Sequence, residues 1–291
     1  MMRSTAHFLS SRFRAFFTGS ASLLMAAALG FGVASADTKI TGTAESVGRD
    51  DCVILLHGMA RSANSMERLQ HTLENAGLTV VNVDYPSTTA TIEALAQLAV
   101  EQGLSACAEY GEGRIHFVTH SLGGILVRVY FRNNRAEPRL GRVVMLGPPN
   151  HGSEIIDTLH DMPGFELVNG PAAEQLGTGP EGLPSSLGAV TFELGIIAGN
   201  QSVNPLYSWM LPEDDDGKVT VDSTRVDGMK AHLVLPVTHT FMMRNPVVID
   251  QTVHFLKTGQ FFRESPSPTF RAGDTSLIGG ESLNINSSTV R

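Results

Sequence analysis

The chain has 291 residues, a length that fits one large α/β domain or two small ones. Hydrophobic residues make up 42% and charged residues 17%, enough for a sizeable core and too apolar for a disordered chain. A net charge of −8, with 7% aromatics and one Trp, argues against a nucleic-acid footprint and against docking on anionic lipid by charge alone.

The first 36 residues read as an address. Arg3, Arg12 and Arg14 form a positive start without an acid, residues 15–33 are apolar and small, and Ala34-Ser35-Ala36 offers a cleavage site before Asp37. The run is rich in Gly, Ser and Thr near its start, which makes it a poor permanent span; cleavage is expected, leaving no membrane span and a periplasmic or secreted chain. Removing the three Arg leaves 18 positives against 29 negatives, a net charge of −11. In an oxidising compartment the two cysteines, Cys52 and Cys107, are expected to form a disulfide. At the other end, residues 264–291 are rich in Ser, Gly and Thr, without apolar periodicity, and read as a flexible tail.

Between the ends, strands and helices alternate. Cys52–Leu56 is a continuous apolar run, as in a strand covered on both faces. Met66, Leu69, Leu73 and Ala76 share one helix face, and Gly77 stops that helix. A strand is predicted over 78–83, a helix over 91–108, a strand over 114–119, a helix over 122–133 and a strand over 142–146. From Pro148 to about Ser186 the pattern lapses, with one short helical piece at 154–160; such a stretch reads as a lid or binding loop, placed at about 150–190. Strands return at 194–199 and 231–237, and a helix closes the domain at 246–257, with Pro in its first turn. This is an α/β domain over 37–263 with a mostly parallel central sheet and helices on both faces.

Thr119-His120-Ser121-Leu122-Gly123-Gly124 lies between a predicted strand and helix, the context of a nucleophile elbow. Such a turn strains the Ser backbone and lifts its hydroxyl above the sheet. Small flanking residues let strand and helix close up, and the helix N-terminus offers an N–H to an oxyanion. At these residues the chain resembles the α/β-hydrolase fold enzymes, and among them bacterial lipases and esterases. It departs from their G-x-S-x-G pattern at Thr119. Leu55-Leu56-His57-Gly58-Met59 is similar to the family's H-G-x loop, and Gly147-Pro148-Pro149-Asn150-His151-Gly152-Ser153 to its P-[NH]-x-G-S stretch. The resemblance implies oxyanion donors at the backbone of Met59 and Leu122, with His57 holding its loop. It also implies an acid in a D-G-x-V segment, which Asp216-Gly217-Lys218-Val219 matches, with Asp214 and Asp215 as alternatives. The base would be His239, in the loop after the last strand; His232, within that strand, reads as packing.

The expected function is a monomeric serine hydrolase cleaving an acyl ester or lipid, without cofactor or metal, through Ser121, Asp216 and His239. Met162, Phe165, Leu167 and Val168 would either line an acyl pocket or pack the lid onto the body. A thioester, an amide, a polyester or acyl transfer stay open as alternatives, as does a binding protein on the same fold.

Overall fold

The computed structural model describes residues 48, 50–132, 137–165, 169–180, 182–202, 211 and 214–262. The expected leader (1–36) and tail (264–291) lie outside these residues, as do Leu167 and Val168.

Among the described residues six parallel strands form one sheet: β1 (Cys52–Leu56), β2 (Thr79–Val83), β3 (Ile115–His120), β4 (Leu140–Leu146), β5 (Leu194–Gly199) and β6 (Ala231–Leu235), in the order β2-β1-β3-β4-β5-β6. All five β1 residues are buried, as expected of a strand with helices on both faces. Val53 and Leu55 pack into one core with Leu69 and Leu73 of helix α1 (Glu67–Asn75) and with Val248 and Phe255 of the closing helix. Ile54 and Leu56 point the other way, into a core with Leu95 and Val100 of α2 (Ile92–Ala108) and Ile125 of α3 (Leu122–Arg132). The period-2 alternation of the strand thus feeds both layers, each full Leu or Phe burial contributing about 1.5–3 kcal/mol.

The structure adjusts several predicted boundaries. A 3₁₀ turn (Ala63–Met66) precedes α1 where one continuous helix is predicted. Strand β4 starts two residues earlier than expected, and its register against β3 shifts between Ile115 and Phe117. The buried His116 ring explains the shift, since its Nδ1 accepts the Arg142 backbone N–H at 2.8 Å in place of a strand carbonyl. Strand β6 ends at Leu235 rather than Val237. The irregular stretch holds α4 (Glu154–Leu159) and two four-residue helices, α5 (Pro171–Glu174) and α6 (Leu183–Ser186), that the sequence pattern does not show. The closing helix α7 (Pro246–Thr258) starts at Asn245, whose side chain accepts from the N–H groups of Val247 and Val248, and ends at Gly259 with φ of 71°.

Cys52, at the start of β1, is disulfide-bonded to Cys107 near the end of α2, 55 positions apart with Cα atoms 5.8 Å apart. By loop-closure entropy such a cross-link stabilises by about 4 kcal/mol. Among the described residues no helix is long and apolar enough to cross a membrane.

Candidate active site

The strand order reverses between β1 and β3, because β2 lies on one side of β1 and all later strands on the other. A crevice opens at such a switch point, at the carboxyl ends of the strands. The two segments bordering it are the loop after β1 and the turn after β3, which carry the H-G-x and elbow motifs.

Ser121 sits between β3 and α3 with φ of 53°, a left-handed conformation unusual for a residue with a Cβ. Its backbone N–H is held by the Leu146 carbonyl at 2.9 Å. Gly123 shows why the elbow needs a small residue two places on: a Cβ there would lie 2.7 Å from the Leu56 carbonyl oxygen. Thr119, where the family pattern has Gly, is fully buried in β3, and its hydroxyl has no hydrogen-bond partner among the described residues. Leu122 opens α3, so its N–H lacks an intrahelical acceptor.

The loop after β1 is fixed by His57. Its Nδ1 lies 2.8 Å from the Gly58 carbonyl, its Nε2 accepts the Tyr85 N–H at 3.4 Å, and its ring stacks on Tyr85. A planar trans peptide points its N–H opposite to its C=O, so pinning the Gly58 carbonyl also fixes the direction of the Met59 N–H. Tyr85 donates its hydroxyl to the His57 carbonyl, and Ser87 accepts the Ala60 N–H at 3.0 Å. His57 therefore serves the loop as a buried, neutral imidazole; burial lowers its pKa.

Of the three candidate acids, Asp216 meets His239. Its Oδ2 lies 2.8 Å from His239 Nδ1, and its backbone carbonyl accepts the His239 N–H, also at 2.8 Å. The other oxygen, Oδ1, accepts from the N–H groups of Lys218 and Val219 at 3.0 and 2.9 Å. This network assigns the Nδ1–H tautomer to His239 and leaves Nε2 as a lone pair. Asp215 instead closes its own turn, its Oδ1 accepting the Gly217 N–H, and Asp214 is exposed. His232 lies in β6 bonded to Thr224, as its strand position suggests.

Ser121, His239 and Met59 line one cavity of about 280 Å³, with Gly58, Arg61, His120 and Lys218 among its other walls. No hydrogen bond closes Ser121 to His239 among the described residues; in unliganded hydrolases this contact is commonly loose. Phe165 lines the cavity, whereas Met162 is exposed. Ile155, Ile156, Leu159 and Leu176 add an apolar wall.

Several supporting contacts have no signal in the sequence. His120 donates Nε2–H to the His239 carbonyl at 3.0 Å, which fixes the His239 loop from behind. Burial and the neighbouring His239 push its pKa well below the ordinary value, so it stays neutral. Gly147, with φ of 55°, lies under the pair: a Cβ there would sit 3.0 Å from Asp216 Oδ2 and 3.1 Å from His239 Nδ1. Ser153 occupies the N-cap position of α4 yet makes no cap bond; its hydroxyl donates to the Lys218 carbonyl and ties this segment to the turn that carries Asp216.

Four buried or half-buried imidazoles, His57, His116, His120 and His232, have lowered pKa values, with desolvation the largest cause in each and His232 at about 4. The unfolded chain binds protons at these sites near pH 6.5, before the folded one does. Their contribution to stability is therefore complete above pH 6.5 and is lost as pH falls from there towards 4. Urea midpoints should drop between pH 7 and pH 5, above the carboxylate range; a flat profile there would contradict the neutral assignment.

A sequence profile of the palmitoyl protein thioesterase family matches residues 52–177, less than half of the chain. No curated protein matches the sequence. Among solved structures, the mature Bacillus licheniformis lipase BlEst2 superposes with a TM-score of 0.57 at 17% identity, covering 74% of this chain and 93% of its own. The Legionella pneumophila phospholipase PlaB gives 0.58 at 16%, covering 72% of this chain and 60% of its own. A metagenomic carboxyl esterase, MGS0156, gives 0.55 at 16%, covering 67% and 66%. At these identities the likeness is one of fold, and with the parallel six-stranded sheet and its switch-point crevice it makes the chain an α/β-hydrolase-fold protein similar to bacterial lipases and esterases.

Proposed function

We propose that the protein is a serine hydrolase of carboxylic esters. The observation that carries this reading is the buried Asp216–His239 pair, whose imidazole lines the same cavity as the strained Ser121. His239 Nε2 takes the Ser121 proton as Oγ attacks the acyl carbon, while Asp216 holds the imidazole in the required tautomer and stabilises the imidazolium. The Met59 and Leu122 N–H groups receive the oxyanion, one such donor being worth about 3 kcal/mol in the transition state. The imidazolium then protonates the leaving oxygen, and water resolves the acyl-enzyme by the same steps in reverse. The apolar wall of Ile155, Ile156, Leu159, Phe165 and Leu176 takes the acyl chain. The disulfide supports the secreted or periplasmic setting read from the first 36 residues.

The test is fluorophosphonate labelling together with turnover of p-nitrophenyl butyrate, octanoate and palmitate. Wild type should label and turn over esters, and Ser121→Ala should abolish labelling and lower kcat by at least about 10³-fold with the fold intact. A folded wild type that neither labels nor hydrolyses would be a binding protein on this fold. A thioester substrate is the second reading, favoured by the thioesterase-family match, and faster turnover of an S-acyl thioester than of the matching oxygen ester would select it.

A further inference from the structure

The cavity has two chemical characters. Ile155, Ile156, Leu159, Phe165 and Leu176 supply apolar surface, and Arg61 and Lys218 supply two cations. Arg61 follows the oxyanion loop after β1, and Lys218 follows the acid Asp216, so the fold delivers them from two separate segments to the rim of one site. Both are exposed, and neither pairs with a carboxylate among the described residues. Arg139, Arg142, Arg225 and Lys230, by contrast, each have one within reach. Among the described residues the acid whose charge acts on Lys218 is Asp216, and its oxygens are hydrogen-bonded to His239 and two backbone N–H groups rather than to the Lys218 ammonium. A chain carrying net charge −8 has thus gathered at the mouth of its cavity two cations that form no ion pair among the described residues.

Resting on the hydrolase reading above, we propose that the substrate's leaving group bears a phosphate, received between Arg61 and Lys218 while the acyl chain lies on the apolar wall. An oxyanion is the group such a pair recognises, and the acyl half cannot carry it, because an unpaired charge against the apolar wall would be desolvated without a partner. The pair also repel each other: desolvation and the Arg61 charge both hold Lys218 below its usual basicity, and a bound anion relieves this. In the reaction the Ser121 Oγ–carbon bond forms and the bond from the acyl carbon to the leaving oxygen or sulfur breaks. The Ser121 proton reaches that atom through His239. The phosphate leaves intact on the alcohol or thiol, and no phosphorus–oxygen bond changes.

The experiment compares matched pairs below their micelle concentrations: octanoyl-glycerophosphate against octanoylglycerol, and octanoyl-coenzyme A against S-octanoyl-N-acetylcysteamine. The readout is the ratio of kcat/KM within each pair. Wild type should prefer the phosphate-bearing member of at least one pair by about tenfold or more at low salt. The pair that shows the preference tells a glycerophosphate source from a carrier thioester. Arg61→Gln with Lys218→Gln should bring the ratio to about one, Lys218→Arg should keep it, and added salt should shrink it. A wild-type ratio near one in both pairs, with neutral turnover and labelling intact, overturns the phosphate proposal alone. Absence of turnover and of fluorophosphonate labelling overturns the hydrolase reading and this proposal together.

Discussion

Asp216→Asn should lower kcat on p-nitrophenyl butyrate by about 10³–10⁴-fold, while Asp215→Asn and Asp214→Asn stay within a few-fold of wild type. The Asp216 carboxylate faces three donors. Oδ1 accepts the Lys218 and Val219 N–H groups, and Oδ2 accepts His239 Nδ1–H. An asparagine has one oxygen for them. The two backbone donors keep that oxygen in the place of Oδ1, since turning the amide would set its NH₂ against two N–H groups. The NH₂ then faces His239 Nδ1, which must become an acceptor. The proton moves to Nε2, and the imidazole can no longer take the Ser121 proton. Asp215→Asn, in contrast, retains an oxygen for the Gly217 N–H, and Asp214 is exposed. Turnover, labelling and circular dichroism of the three variants check this. An Asp216→Asn protein within tenfold of wild type, or a larger loss at Asp214 or Asp215, would remove Asp216 from the proposed role.

The turn that carries Ser121 is legible in the sequence because a strand-to-helix turn is a local event, written in six consecutive residues. His239 is a candidate by chain order alone. The acid stayed open among three neighbours, since adjacent carboxylates differ only in which one the folded turn aims at the imidazole. The contacts behind the site were not legible. His120 reaches the His239 carbonyl across 119 positions, and Gly147 reads as an ordinary turn residue although a pair from two later loops rests on it. Arg61 and Lys218 carry no periodic signal, because their nearness is made by the sheet order. The short helices α5 and α6 were missed because four residues bounded by Gly and Pro do not complete an apolar period. Ser153 has the residue type of a helix cap, but the Lys218 carbonyl, from a loop far along the chain, takes its hydroxyl instead.

Gly123→Ala should cost both stability and chemistry, and Gly103→Ala stability alone. An alanine is favoured over glycine in a helix by about 1 kcal/mol, so a helix in isolation would gain from either change. At 123 the new Cβ would lie 2.7 Å from the Leu56 carbonyl oxygen, 3.0 Å from the His57 carbonyl oxygen and 3.0 Å from Leu56 Cβ. Backbone cannot step aside as a side-chain tip can, so α3 must move off the end of β1. That seam joins the two proposed oxyanion donors: Leu122 sits on the helix and Met59 on the loop after the strand. A displacement of about 1 Å there costs on the order of 10²-fold in rate, and the strain itself costs about 1–3 kcal/mol. At 103 the new Cβ would meet the Ile54 side chain at 2.6 Å, inside the core and away from the site. Both variants should melt earlier, and only Gly123→Ala should lose kcat beyond what its folded fraction explains. If Gly123→Ala kept wild-type kcat, the close approach of α3 to β1 would have no bearing on the reaction, and the oxyanion donors would have to be sought outside this seam.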